Sequence, residues 1–352
     1  MRQSHEVATP KGVCSRRPVG NATHPPEEST MTARSTRRPT AAHSRIAAAG
    51  AIAVAGTLLL TGCGDHTDKG SSGSGSGSSA GSTAPLAAKL PADIRKAGVI
   101  KVGSDISYAP VEFMQDGKAA GIDPDIADAL GKQLGVRFEF QNGKFDQLIV
   151  GLQAKRFNMI MSAMNDTKDR QNGIDSDTGK KVGNGVDFVD YFTAGTSILV
   201  QKGNPKGVKS LDDLCGKVVA LQKGTTSEGV AKAQSTKCTK DGKKAITLQT
   251  FDTDPEALLR LKQGASVADL NDFPVAAYNA KTSGQGKDFE VVGDQIQAGP
   301  YGIAVSKENT QLRDALQAAV SAIIKNGEYQ KILQKWNVTD GAVTEAKING
   351  GS

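Results

Sequence analysis

Residues 99–141, VIKVGSDISYAPVEFMQDGKAAGIDPDIADALGKQLGVRFEFQ, decide the fold. The β-branched run at 99–103 reads as a short strand, and 137–141 reads as a second. Between them, 125–134 sets Ile126, Ala129, Leu130 and Leu134 on one face of a helix. Two strands joined by a crossover helix form a βαβ unit, and such units build parallel sheets.

The same alternation continues along the chain. Residues 145–154 predict a helix with Phe145, Leu148, Ile149 and Leu152 inward, and 158–162 a buried strand. After the Gly203-Asn-Pro205 turn, Ser210 caps a short helix, 217–221 reads as a strand, and Gly224-Thr-Thr226 leads into a helix through Ala233. Strand 246–251, a helix with Asp254 as N-cap and Pro255 at its first position, strand 268–270 and helix 273–281 follow. The chain returns through strands 289–292 and 301–305 and closes with helices 310–325 and 328–336. The expectation is an α/β protein of two lobes, each a sheet flanked by helices. Residues 87–195 with 299–340 form lobe 1, 196–298 form lobe 2, and 341–352 are a tail. Two extended crossings near 194–196 and 297–300 make a two-strand hinge, with a ligand cleft between the lobes outside the carboxyl ends of the strands.

Upstream of this body the chain has another character. Arg34, Arg37, Arg38 and Arg45 precede an apolar stretch from Ile46 to Leu60, followed by Thr61, Gly62 and Cys63. About fifteen apolar residues are too few to span a bilayer, which needs about twenty, so residues 1–62 read as a leader and secretory signal, with Met31 a candidate start. Residues 63–86 then form a tether of mostly Gly, Ser, Ala and Thr that cannot bury a core. The leader holds eight Lys and Arg against three Glu, so the whole-chain charge of +6 leaves about +1 for the rest. The basic balance belongs to targeting, and no basic stripe for a nucleic acid remains in the folded body.

All four histidines, His5, His24, His43 and His66, lie in the leader or tether. Ser-His-Asp and Cys-His catalysis are therefore excluded, and neither a metal nor a cofactor is expected. With Cys14 in the leader and Cys63 at the signal's end, only Cys215 and Cys238 fall in the body. In an exported domain two cysteines read as a disulfide, the alternative being two free buried thiols.

The run Leu58-Leu-Leu-Thr-Gly-Cys63 resembles the lipobox of bacterial lipoproteins, in which the cysteine becomes lipidated. The body resembles the extracellular solute-binding proteins of ABC importers, in the polar amino acid branch called family 3. Six pieces carry this in order: Asp105, Tyr108 and Pro110; Gly121-Ile-Asp-Pro-Asp-Ile126; Phe145-Asp-Gln-Leu-Ile149; 162–170 ending in Thr-x-x-Arg; Asn271-Asp-Phe-Pro274; and Gly327-Glu-Tyr-Gln330 with Lys335-Trp336. The resemblance implies the type II periplasmic-binding-protein fold. It also implies a lipid-anchored, extracytoplasmic monomer that captures a polar L-amino acid and hands it to an ABC permease, touching the membrane only through Cys63.

The residues fit that chemistry. Arg170 lies three after Thr167, an expected N-cap, so its guanidinium projects from a helix's first turn and can grip a carboxylate bidentately. The resemblance gives it the ligand's α-carboxylate, shared with the helix N-terminus at Gly224, Thr225 and Thr226. By the same resemblance Asp272 pairs with the α-ammonium, and Tyr108 and Phe145 flank the side chain beside Ala163 and Asn165. Plainer roles stand beside these: a solvated Arg170, an N-capping Asp272, and Tyr108 and Phe145 as core. Asp105 favours a donor side chain, so glutamine or a basic amino acid is expected. Lys223, should its ammonium enter the cleft, would admit glutamate instead. The enzyme alternative is a dehydratase like the cyclohexadienyl dehydratases, with Asp105 as its acid. Two departures from the family pattern stand out: a long turn-rich stretch at 172–185, read as an exposed loop, and Asp269, an acid at a position where burial is expected.

Overall fold

The computed structural model describes residues 84–352. The signal, Cys63 and nearly all of the tether lie outside the described residues. The chain runs through α1 (Ala92–Ala97), β1 (Val99–Ser104), a small antiparallel sheet of β2 (Ser107–Tyr108), β3 (Glu112–Gln115) and β4 (Lys118–Ala120), then α2 (Ile122–Leu134) and β5 (Arg137–Asn142). Next come α3 (Leu148–Gln153), β6 (Met159–Ile160), α4 (Lys168–Asn172) and β7 (Val186–Gln201). It continues through β8 (Val218–Gln222), α5 (Thr226–Lys240), β9 (Thr247–Phe251), α6 (Asp254–Lys262), β10 (Ala268–Asp272), α7 (Phe273–Thr282) and β11 (Phe289–Ser306). Two helices, α8 (Thr310–Lys325) and α9 (Glu328–Trp336), follow.

The strands lie in the order β5-β1-β6-β11-β7-β10-β8-β9. At one end β1 pairs in parallel with β5 and β6, and at the other β8 pairs in parallel with β9 and β10. These two βαβ-built sets are joined by β7 and β11, an antiparallel pair that passes through both lobes with register shifts between Val292 and Ile296, Ile296 and Gly299, and Tyr301 and Gly302. The two returning strands expected at 289–292 and 301–305 are thus one strand. Pairing of Ile296 with Thr196 and Gly299 with Ala194 keeps the crossing hydrogen-bonded, which the Gly293 and Gly299-Pro300 punctuation disguises in sequence.

One lobe packs α2, α8 and α9 around an apolar cluster with Leu130, Tyr191, Leu316 and Ile323 at its centre. On the opposite face of its sheet, Phe145, Leu148 and Phe188 form a second cluster. The other lobe gathers Val219, Leu221, Ala231, Cys238 and Leu270. There Cys215 and Cys238 form a disulfide with Cα atoms 5.6 Å apart.

Local chemistry moves several boundaries. α2 begins at Ile122, three residues before the periodic run, because Pro124 sits within its first turn where a proline is tolerated. α5 runs on to Lys240 rather than stopping at Ala233: the Ser-Thr-Lys-Cys-Thr stretch is a weak helix former, but buried Gln234 and disulfide-bonded Cys238 hold its last turns. The cap of α6 is Thr253 in a capping box with Glu256, and Asp254 is its first helical residue, buried and accepting from Asn271 Nδ2. Ser210 caps a 3-10 turn reciprocally with Asp213, as the sequence leads one to expect.

Candidate ligand-binding cleft

Strand ends and helix starts converge between the lobes on a small, narrow cavity. From the first lobe, Asp105 follows the end of β1 and is buried. Its N–H donates to Ser162 Oγ (2.9 Å), and its carboxylate accepts from Ser107 Oγ (2.6 Å) and from Gln222 Nε2 of the other lobe (2.5 Å). Ser162 Oγ donates in turn to Glu112 Oε1 (2.8 Å), while Glu112 Oε2 is buried with no hydrogen-bond partner. Ala163 lies in the left-handed region (φ 47°), its N–H held by Asp123 at 3.3 Å; Tyr191 donates to the other oxygen of that carboxylate at 2.7 Å. A fixed backbone at Ala163 aims the chain from Ser162 to Asn165 along the cavity wall.

Arg170 and Asn165 are set by α4. Thr167 caps that helix, its Oγ1 accepting from Arg170 N at 3.3 Å. The guanidinium donates to Asn165 O (2.8 Å) and, across the cleft, to Gly224 O (3.0 Å), and lies 5.4 Å from the centre of the Phe145 ring. From the second lobe, Thr225 caps α5 by accepting from Glu228 N at 3.2 Å. Thr226 Oγ1 donates to Asn165 Oδ1 at 2.8 Å. The N–H groups of the first turn of α5 have no acceptor within the helix, as at any helix start. Gly224 has φ 77°, and a Cβ there would come within 2.9 Å of Asp146, so only glycine permits this approach of the lobes. Asp272 closes β10 at the N-cap position of α7 without a side-chain capping bond; its N–H donates to Tyr108 OH at 2.9 Å.

Burial shapes the charges. It raises the Asp105 carboxyl against the hydrogen bonds from Ser107 and Gln222. It drives Glu112 well above the usual carboxylate range, with the nearby Asp123 adding to the effect. Asp272 is pushed up to about 6 by burial, opposed by the Tyr301 and Tyr108 hydroxyls and by Arg170. Arg170 itself is drawn down to about 10, chiefly by burial, and stays a cation at neutral pH. Three acids thus line the cavity, and Arg170 stands at its border.

Of the residues singled out in sequence, Asp105, Tyr108, Phe145, Ala163, Asn165, Thr225, Thr226 and Asp272 line the cavity, and Arg170 and Gly224 close its edge against each other. Lys223 stays on the rim, paired with Asp146 at 2.9 Å. Sequence reasoning missed Glu112, Ser162 and Gln222, which also line it. Asp269 has a structural setting: fully buried on β10, it accepts from Asn271 Nδ2 at 2.9 Å, and the same amide reaches Asp254 at 3.2 Å. The 172–185 stretch is largely exposed, and its Asp177 meets Lys232 of α5 at 2.6 Å. Among the described residues no cluster of His, Cys, Asp or Glu is arranged to hold a metal ion.

The family model for bacterial extracellular solute-binding proteins, family 3, matches residues 100–339. The chain is 28% identical over 298 residues to the arginine-binding protein ArgT of Corynebacterium glutamicum, covering 84% of this chain and 93% of that one. It is 27% identical over 244 residues to the L-cystine-binding protein TcyJ of Escherichia coli, covering 69% and 84%. Among solved structures, an ancestral arginine-binding protein bound to arginine superposes with a TM-score of 0.59 at 35% identity, covering 68% of this chain and 98% of that one. An ancestral amino acid-binding protein described as a precursor of cyclohexadienyl dehydratase gives the same TM-score of 0.59 and 35% identity, covering 69% and 97%.

Proposed function

We propose that this chain, which belongs to the bacterial extracellular solute-binding proteins of family 3, takes an amino acid with a cationic side chain, arginine foremost. At the coarser level the protein is an extracytoplasmic amino-acid-binding component of an ABC importer, working with a free amino acid and a cognate permease. The family is one of non-catalytic binding proteins, so the dehydratase reading falls away.

The observation that carries the proposal is the acidic end of the cavity. The backbone N–H of Asp105 donates to Ser162 Oγ, which donates in turn to Glu112, so two buried acids stand side by side on the cavity wall. Acids that burial drives toward their protonated form ionise beside a cation, and a guanidinium, with several donors in a rigid fork, answers such a pair better than an amide does. In this reading Arg170 and the N-terminus of α5 hold the α-carboxylate, Asp272 the α-ammonium, and Tyr108 and Phe145 sandwich the aliphatic stem. Binding draws the lobes together because the ligand's two charges are answered from different lobes. Names of relatives agree: several of the curated proteins similar to this chain are arginine-binding proteins. Glutamine is the second reading, because the Asp105 carboxylate already accepts from the side-chain amide of Gln222, so an amide can serve as its donor.

Calorimetric titration with L-arginine, L-glutamine and L-glutamate tests this. Arginine is expected to bind at least tenfold more tightly than glutamine, and Glu112→Gln to weaken arginine at least tenfold while leaving glutamine within about threefold. Preferred binding of glutamate would overturn the reading, since a third carboxylate would enter an acidic site. Anchoring through Cys63 is a further part of the proposal, supported by the basic, apolar and small-residue sequence at 34–63. Cys63→Ala is expected to release the protein from the membrane fraction; retention at the normal level would remove the anchor. A monomer is expected on size-exclusion with light scattering.

A further inference from the structure

After α9 a turn at Thr339–Gly341 sends the chain back over the first lobe. Ile348 bridges Val189 of β7, and Asn349 locks on beside it: its Oδ1 accepts from Phe188 N at 2.8 Å and its Nδ2 donates to Asp187 at 3.0 Å. Three residues then reach the back of the cleft wall. Gly350 N–H donates to Asp190 Oδ2 (3.1 Å), Gly351 N–H donates to Asp166 Oδ2 (2.8 Å), and Lys168 N–H donates to Ser352 O (3.3 Å). Asp166 and Asp190 are only 2% and 3% exposed. Among the described residues neither makes an ion pair; Asp166 also accepts from Gln171 Nε2 at 2.6 Å and the two acids meet each other, so the tail's N–H groups are part of what solvates them in the interior. Lys168 is the first residue of α4, whose N–H has no acceptor within the helix, and the Ser352 carbonyl supplies one. A Cβ on Gly351 would stand 1.9 Å from Asp166 O, and one on Gly350 2.6 Å from Asp190 Oδ2, so this contact is built for glycine.

Asp166 sits directly between Asn165, which meets Thr226 across the cleft, and Thr167, which caps the turn carrying Arg170. These residues lie within the family match, whereas 340–352 lie beyond it. We propose that Gly350-Gly-Ser352 is a positioning strap: it fixes Asp166 and the first turn of α4 from behind, so that Asn165 and Arg170 are held ready for the ligand rather than ordered at the cost of binding energy. The strap rests on the reading of Asn165 and Arg170 as ligand-binding residues, but its effect on the backbone is measurable without any ligand.

The test compares the full chain with one ending at Asn349, with Gly351→Ala, and with Ser352→Ala, well below the melting temperature. Two readouts are taken: the calorimetric Kd for L-arginine and the amide hydrogen exchange of residues 165–170. Truncation is expected to speed exchange in 165–170 at least tenfold and to weaken arginine at least tenfold. Gly351→Ala should act in the same direction, and Ser352→Ala, which keeps the backbone contacts, should stay within twofold on both. A role in overall stability alone would lower the melting temperature and leave both readouts unchanged, and that result overturns the strap. Should truncation prevent folding, Gly351→Ala decides by the same two readouts. Failure of the full chain to bind arginine would break the ligand reading, while exchange at 165–170 still decides whether the strap orders that segment.

Discussion

The two lobes reach similar architecture with different interiors. The first is organised by an apolar cluster running from Leu90 to Ala346, closed by α2, α8 and α9. The second has a smaller cluster, a disulfide within it, and a sheet whose buried strand β10 carries Asp269, Asn271 and Asp272. Both lobes bury acids that burial holds above their usual range, Glu112, Asp123 and Asp190 in the first and Asp254 and Asp269 in the second. What sets the second apart is the covalent link within its smaller apolar cluster, so it is the lobe more easily moved by redox state.

The largest effect that sharpens this contrast is on binding. Arg170→Ala, on the first lobe, is expected to weaken arginine by about 3 to 5 kcal/mol, because a buried carboxylate loses its main partner. Asp272→Asn, on the second, keeps an acceptor in place and should weaken it only about tenfold. Calorimetry on both variants checks the order, and a reversal would move the dominant charge to the second lobe.

Next is the disulfide. Replacing Cys215 and Cys238 together by Ser should destabilise the second lobe by about 3 kcal/mol in the chain-entropy description. Trp336, the single tryptophan, lies on α9 in the first lobe. In the variant, circular dichroism is therefore expected to fall at lower denaturant than Trp336 fluorescence changes. Coincident transitions would show that the lobes unfold as one unit and share the loss.

Smaller still is a pH effect. Burial raises Asp254 to about 7 and drives Asp269 well above the usual range, with Asp254 adding to the rise at Asp269. The folded chain therefore holds protons that the unfolded chain releases, so these acids make stability fall as pH rises from about 4 through about 7. Asp269→Asn keeps the acceptor for Asn271 and should flatten the decline in melting temperature over that window; an unchanged slope would remove Asp269 as its source. The smallest change is expected at the rim, where Asp177 of the 172–185 loop meets Lys232, which also contacts Glu228 at 2.8 Å. Such an exposed pair contributes about 0 to 1 kcal/mol, so Asp177→Asn should speed ligand release by no more than about fivefold, and the difference should vanish in high salt. An increase beyond tenfold would mean that the loop does more than pair charges.

Much of this molecule was legible because the relevant signals are local. Hydrophobic periodicity gives α8 and α9 at their observed bounds, and Thr167 three residues before Arg170 announces the cap that positions the guanidinium. Boundaries failed where a distant partner outweighed propensity, as in the last turns of α5, held by Cys238, and in β11, whose pairing with β7 carries it through a glycine-rich crossing.

The cleft divides in the same way. Asp105, Arg170 and Asp272 were named through the resemblance to family 3, and the structure places them in or at the edge of the cavity, by strand ends and helix starts. Glu112, Ser162 and Gln222 were not, since each acquires its meaning only from a partner fifty or more residues away, and no local pattern distinguishes a buried hydrogen-bonded acid from a solvated one. The tail is the extreme case: Gly350 and Gly351 look like a loose end by composition, and only the folded chain brings their N–H groups to Asp190 and Asp166, whose burial makes those donors matter. Sequence alone therefore determined the succession of strands and helices, because that follows from nearest-neighbour chemistry, and it offered Cys215 and Cys238 as a pair by count, these being the cysteines of the folded body. Tertiary structure decided which acids lose water and which donors replace it, because desolvation is a property of the packed whole.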